Sequence, residues 1–277
     1  MLFEGELMRE LDGVTFQKED KYSVFWVREF SEDIKSAIRE QLALICYGID
    51  NVNTRHRMYY YKNTVKEFLK RYETKPVNIK IGMIGELLVH LIFQNYYDEY
   101  KSVTPYFNMV ERSIKKGYDA VLTEKDSPVL YIIEVKSGEL HRNKTSDQTI
   151  IDLIGTAKND LDVRLNQENV SLWIEAVNSA KVSFDSNDVM KEAVLDILRD
   201  WSADATDGIY TSEDKNVILT GVLFSDLDDS ITAHNLQQKQ NYIEKTGEFS
   251  QVYVLGIQKE TYVKVYQFLR EEAEDEN

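Results

Sequence analysis

Two apolar runs joined by a short polar turn constrain this chain more than any other feature: Gly117-Tyr118-Asp119-Ala120-Val121-Leu122, and Val129 through Lys136. Folded about Asp126 and Ser127, the second run lies antiparallel to the first as a hairpin. Asp119 then falls opposite Glu134, with Cβ atoms about 4.5–5.5 Å apart. Alternation along the strand puts Glu134 and Lys136 on one face and Ile133 and Val135 on the other. Two carboxylates facing each other in apolar strands repel unless a cation lies between them. The pattern is that of a divalent-metal site with a lysine beside it.

A second stretch supports this. From Gly82 to Phe93, Ile84, Leu87, Leu88, Leu91 and Ile92 form one apolar stripe, while Val89 and Phe93 fall on the opposite side. A helix apolar nearly all round is buried between layers. Glu86 sits on the second side, where a lone carboxylate needs a cation or strong donor. A helix-start glutamate is by itself most simply a cap or ion-pair partner. Alongside Asp119 and Glu134 it joins the candidate metal shell. Gly82 and Gly85 are expected to let this helix approach a neighbouring backbone closely.

Elsewhere the chain reads as alternating strands and helices. One or two strands are expected before residue 30, then helices over 34–47 (capped by Ser31, ended by Gly48) and 63–73. A strand is expected over 104–110, a helix over 146–161, one or two strands within 170–184, and a helix over 189–201. Strands at 217–224 and 252–257 and a helix at 259–271 follow. The acidic tail 271–277 reads as disordered. The Tyr59-Tyr60-Tyr61 cluster beside Arg55, His56 and Arg57 suits packing better than base stacking. This gives an α/β chain in four segments: an N-terminal elaboration (1–77), a core (78–165), a C-terminal α/β part packed on the core (166–270) and the tail.

Charge sharpens the choice of partner. The net charge of −15 weighs against a nucleic-acid partner, but it is unevenly spread. Residues 159–277 hold 10 Lys+Arg against 24 Asp+Glu, leaving 23 against 24 for residues 1–158. Arg112, Lys115, Lys116, Lys125, Arg142 and Lys144 surround the hairpin and can meet phosphates. The acidic part is expected to bind a basic partner surface, or to repel DNA until a partner moves. One cysteine, Cys46, excludes an internal disulfide and reads as a buried thiol. There is no run of about 18 apolar residues and no signal-peptide pattern, so a cytoplasmic protein without a membrane partner is expected. Scattered histidines argue against zinc, and no glycine loop for ATP is present.

The order of helix with Glu86, strand with Asp119, strand with Glu134 and Lys136, then helix suits phosphodiester cleavage. Asp119 and Glu134, with the Val135 carbonyl, offer the oxygen ligands that Mg²⁺ or Mn²⁺ takes. Glu86 would complete the set or hold a metal-bound water, and Lys136 would orient water or stabilise charge on the phosphate.

Gly85-Glu86, Asp119 in Gly-Tyr-Asp-Ala-Val, and Glu134-Val135-Lys136 resemble the PD-(D/E)xK nuclease superfamily over about residues 78–160. Tyr118 stands where the named motif has proline. The resemblance implies a mixed central sheet flanked by helices, as in restriction endonucleases, and Mg²⁺- or Mn²⁺-dependent DNA cleavage through Glu86, Asp119, Glu134 and Lys136. Lys-Ile-Gly-Met-Ile-Gly-Glu-Leu-Leu, Tyr-Ile-Ile-Glu-Val-Lys-Ser and the acidic C-terminal part also resemble the nuclease subunit of Hachiman-type bacterial antiphage systems. That resemblance implies a helicase-like ATPase partner that holds a nuclease silent until aberrant DNA releases it. The competing expectation is a catalytically silent, partner-binding subunit that keeps the nuclease fold as a scaffold.

Overall fold

The computed structural model describes residues 10–107 and 117–275. The elements are β1 (Val14–Lys18), β2 (Tyr22–Val27), α1 (Glu32–Tyr47), α2 (Ile49–Asn53), α3 (Tyr61–Glu73), α4 (Val77–Tyr96), β3 (Tyr100–Ser102), β4 (Ala120–Glu124) and β5 (Leu130–Glu139). There follow α5 (Ser146–Leu165), α6 (Val170–Ser183), α7 (Lys191–Thr206), β6 (Asn216–Phe224), α8 (Ala233–Glu244), β7 (Gln251–Lys259) and α9 (Val263–Glu274).

All seven strands form one mixed sheet in the order β1-β2-β7-β6-β5-β4-β3. The centre, β2 to β5, is parallel, and antiparallel pairs close both edges. Parallel strands are buried on both faces, and here each face has its own core. Ile38, Phe68, Leu87 and Leu269 of α1, α3, α4 and α9 cover one face with Ile133 and Val135. Ile150, Trp173, Leu198 and Leu236 of α5 to α8 cover the other with Ile132 and Leu219. The mixed sheet between helical layers is the expected α/β architecture.

Local signals set most boundaries. The Ser31 hydroxyl accepts from Ile34 N at 3.3 Å and starts α1, and Gly48 at φ 79° ends it. Thr145 and Gln148 form a reciprocal capping box for α5. α4 is long and apolar enough to cross a bilayer, but most of it is buried within the protein as a core helix.

Four segments depart from expectation. Residues 170–183 are helical, because Trp173, Ala176 and Ala180 recur at helical spacing and are buried against the second core. The Ser171–Ile174 run is too short to show that period. No strand covers the described part of 104–110; the edge strand is β3, and residues 108–110 lie outside the described residues. Residues 271–274 are helical rather than disordered, since Arg39 binds Glu272 at 2.8 Å and docks the end of α9; residues 276 and 277 lie outside the described residues. α8 is scarcely announced by hydrophobicity, with only Leu236, Gln240 and Ile243 buried.

Candidate active site

The hairpin has the register that the turn implies. Ala120 pairs with Ile133 and Val121 with Ile132. The ladder stops at Ala120, whereas β5 continues to Glu139 along β6. Among the described residues, one edge of β5 therefore lacks a strand partner from Glu134 onward. The Asp119 carboxylate takes the place of one, accepting from Val135 N at 2.8 Å. The N–H and C=O of one strand residue point to the same side, so the Val135 carbonyl faces this open edge too.

A cleft of about 760 Å³ lies over the opening. Glu86, Asp119, Glu134, Val135 and Lys136 all line it. Glu134 is 1% exposed; its Oε1 accepts from Lys136 Nζ at 2.8 Å, and its Oε2 from Arg164. Lys136 also reaches Asp160 Oδ2 at 2.7 Å. Burial opposes the Lys136 charge, but Glu134, Asp160 and Asp119 outweigh it and hold the ammonium above its ordinary value. Lys136 is therefore a firm cation at neutral pH.

Glu86 enters from the opposite layer. Gly85 makes this possible, since a Cβ there would lie 1.9 Å from Ser137 Oγ and 2.7 Å from Ser137 Cβ on β5. Gly82, by contrast, meets nothing within 4 Å, so only Gly85 serves close approach. The Tyr106 phenol donates to the Met83 carbonyl at 3.0 Å. Burial, then the charges of Glu86, Cys46 and Asp119, push that phenol well up; Tyr106, Glu86 and Asp119 line the same cleft. Among the described residues, however, no three acidic, histidine or cysteine side chains converge as a ready metal cage. Asp119, Glu134 and Lys136 are brought together; Glu86 is a neighbour across the cleft.

The family comparison extends this geometry to the whole molecule. The HamA family model matches residues 10–273, nearly the full chain. The chain belongs to the HamA family. HamA is a subunit of Hachiman antiphage defence systems, so this chain is a subunit of such a system. No curated protein matches it.

In this HamA member the cleft has cations that the sequence did not single out. Arg112, Lys115 and Lys116 lie outside the described residues. Lys125 borders a separate cavity of about 340 Å³, and Lys144 is paired with Asp152. Among the described residues the cleft draws Lys70, Arg71 and Lys75 from α3 and the turn after it, and Arg164 from α5. α3 reaches the site only through the tertiary fold, so local sequence gave no sign of its role. Asp160 and Arg164 did leave a trace, being one turn apart on the helix that follows Glu134-x-Lys136.

Burial foremost, and then the charge of Asp119, raise Glu134 to about 7; Arg164 and Lys136 pull the other way. The folded carboxyl thus keeps a proton that an ordinary glutamate, at 4.5, has released. Stability without metal is expected to fall as pH rises from about 4.5 to 7, by up to about 1.4 kcal/mol per pH unit. Urea unfolding in EDTA from pH 4.5 to 8 tests this. The decline should flatten in Glu134→Gln, and an unchanged slope would assign it to another group.

Proposed function

We propose that this chain is the nuclease of its defence system, hydrolysing DNA phosphodiester bonds with Mg²⁺ or Mn²⁺. A helicase-like ATPase partner holds it silent until aberrant DNA releases it. The observation that carries the reading is the edge of β5 that no described strand covers, where Asp119 binds Val135 N and shares one cleft with Glu134 and the charged Lys136. The donors there, two carboxylates and the Val135 carbonyl, are all oxygen, as Mg²⁺ and Mn²⁺ require; Mg²⁺ commonly takes one or two carboxylates and fills the rest of its shell with water and phosphate. A bound ion would polarise a phosphate oxygen and lower the pKa of a water.

The chain's own groups supply the remainder. Lys136, fixed by Glu134 and Asp160, is placed to stabilise negative charge developing on a phosphate at the edge. Glu86 lies across the cleft, where it can orient a water. Lys70 and Lys75 line the rim and can neutralise flanking phosphates. Arg71 is tied to Glu67 at 2.9 Å and lies over the Phe107 ring. The acidic C-terminal half suits contact with a basic partner surface and disfavours non-specific DNA binding.

The test is cleavage of plasmid and single-stranded DNA in Mg²⁺, Mn²⁺ or EDTA, by the chain alone and with its helicase-like partner. Divalent-dependent cleavage in either setting supports the reading. A chain inert in both, with partner and aberrant DNA supplied, is the scaffold alternative, for which the engagement of both Glu134 oxygens by basic side chains speaks. A separate check concerns the rim. Lys70→Glu with Lys75→Glu should weaken DNA binding across sequences and lower the slope of log K against log salt by about 2. Fluorescence anisotropy in EDTA measures this, and an unaltered slope would remove α3 from the DNA path.

A further inference from the structure

The arrangement around Glu134 shows a feature that metal chemistry alone does not require. Asp119 uses one oxygen for Val135 N. Glu134 has one oxygen on Lys136 and the other on Arg164. A guanidinium is a planar, permanently charged cation that fits a carboxylate, and here it takes the Glu134 oxygen that Lys136 leaves. Among the described residues no acid cluster forms a ready cage, and both Glu134 oxygens are engaged by cations. Burial would make an unpaired Glu134 carboxylate costly, so a cation there keeps the closed site stable.

Two further observations concern Arg164. Its side chain is 25% exposed, against 1% for Glu134, so it has room to leave toward solvent while Glu134 does not. The Tyr118 hydroxyl beside the cleft is buried and has no hydrogen-bond partner among the described residues, and Arg164 and Glu134 are the charges that act on it. Such a hydroxyl is free to bond a polar occupant of the cleft, such as a water or phosphate oxygen.

We infer that Arg164 is a resident counter-ion that competes with the divalent metal for Glu134, so that metal binding and the Arg164–Glu134 ion pair exclude one another. This rests on the metal-site reading above. In the metal-free chain Arg164 neutralises Glu134 and closes the site. An arriving ion takes the carboxylate oxygen, and the guanidinium swings into the cleft, where a DNA phosphate can accept its hydrogen bonds. Any surface that stabilised the Arg164–Glu134 pair would raise the metal concentration needed for activity.

The experiment is calorimetric titration of Mn²⁺ into the purified chain at pH 8, where the Glu134 proton competes least. Wild type, Arg164→Gln, Arg164→Lys and Glu134→Gln are compared, with circular dichroism confirming the fold of each. Arg164→Gln should bind Mn²⁺ on the order of tenfold more tightly than wild type, within the usual range for coupled sites. Arg164→Lys should fall between them, and Glu134→Gln should lose the site. Equal or weaker binding by Arg164→Gln would overturn the competition while leaving the metal site standing. No binding by wild type or either Arg164 variant would sink the metal site itself, and the competition with it. Because the readout is binding, a chain whose cleavage awaits its partner still gives an answer.

Discussion

Lys136→Met is expected to leave Mn²⁺ binding at least as tight as in wild type while lowering DNA cleavage by about 10²–10³-fold, whereas Glu134→Ala should lose both. The difference follows from what each side chain touches. Lys136 Nζ lies 2.8 Å from Glu134 and 2.7 Å from Asp160, and its charge is firm. On the proposed mechanism, removing it deletes a preorganised charge that would face the phosphate, a loss of that size in comparable electrostatic sites. It does not remove an oxygen ligand. Glu134→Ala removes the most buried of the proposed ligands and leaves Arg164 and Lys136 without a shared anion, so stability also falls. Glu134→Gln separates these effects because it preserves volume. Single-turnover cleavage with partner and aberrant DNA supplied, beside Mn²⁺ titration, reads both quantities. Lys136→Met with full cleavage would end the catalytic role of the lysine; Glu134→Ala that still bound Mn²⁺ would move the metal elsewhere.

The parts of this site legible in sequence are those fixed by short-range geometry. A turn centred on Asp126 and Ser127 sets which residues pair, and the observed Ala120–Ile133 pair belongs to that register. Alternation then fixes which side chains share a face. α4 announced its burial by being apolar all round. What could not be read depends on distant segments meeting. Lys70 and Lys75 are ordinary exposed or half-exposed lysines by local pattern, and they become a rim only because α3 lies against the layer that carries α4. Arg164 becomes a partner of Glu134 because α5 crosses the opposite face of β5. α6 does not declare itself a helix because its apolar run, Ser171 to Ile174, is shorter than a helical repeat, and small alanines carry the rest of its buried stripe. The acidic end of α9 is hidden for the opposite reason: its composition is that of a disordered tail, while an ion pair from Glu272 to Arg39 holds it.

Gly85→Ala is expected to destabilise the chain by about 1–3 kcal/mol, the usual penalty for overfilling a tight core, and to impair cleavage more than a remote change of equal cost. The added methyl would stand 1.9 Å from Ser137 Oγ and 2.7 Å from Ser137 Cβ. The hydroxyl can rotate away, but the Cβ is fixed to the β5 backbone, so helix or strand must shift. Ile84 and Leu87 beside it are fully buried, which leaves α4 little slack to tilt without opening a void. The displaced element carries Glu86 on one side of the contact or Glu134 and Lys136 on the other, and either movement widens the cleft. Ser137→Gly removes the opposing Cβ and should restore most of the loss in the Gly85→Ala background, although alone it costs stability through strand entropy. A double-mutant cycle by urea unfolding gives the coupling. Additive effects, with no rescue, would show that α4 and β5 adjust independently and that Gly85 does not seat Glu86 against the strand.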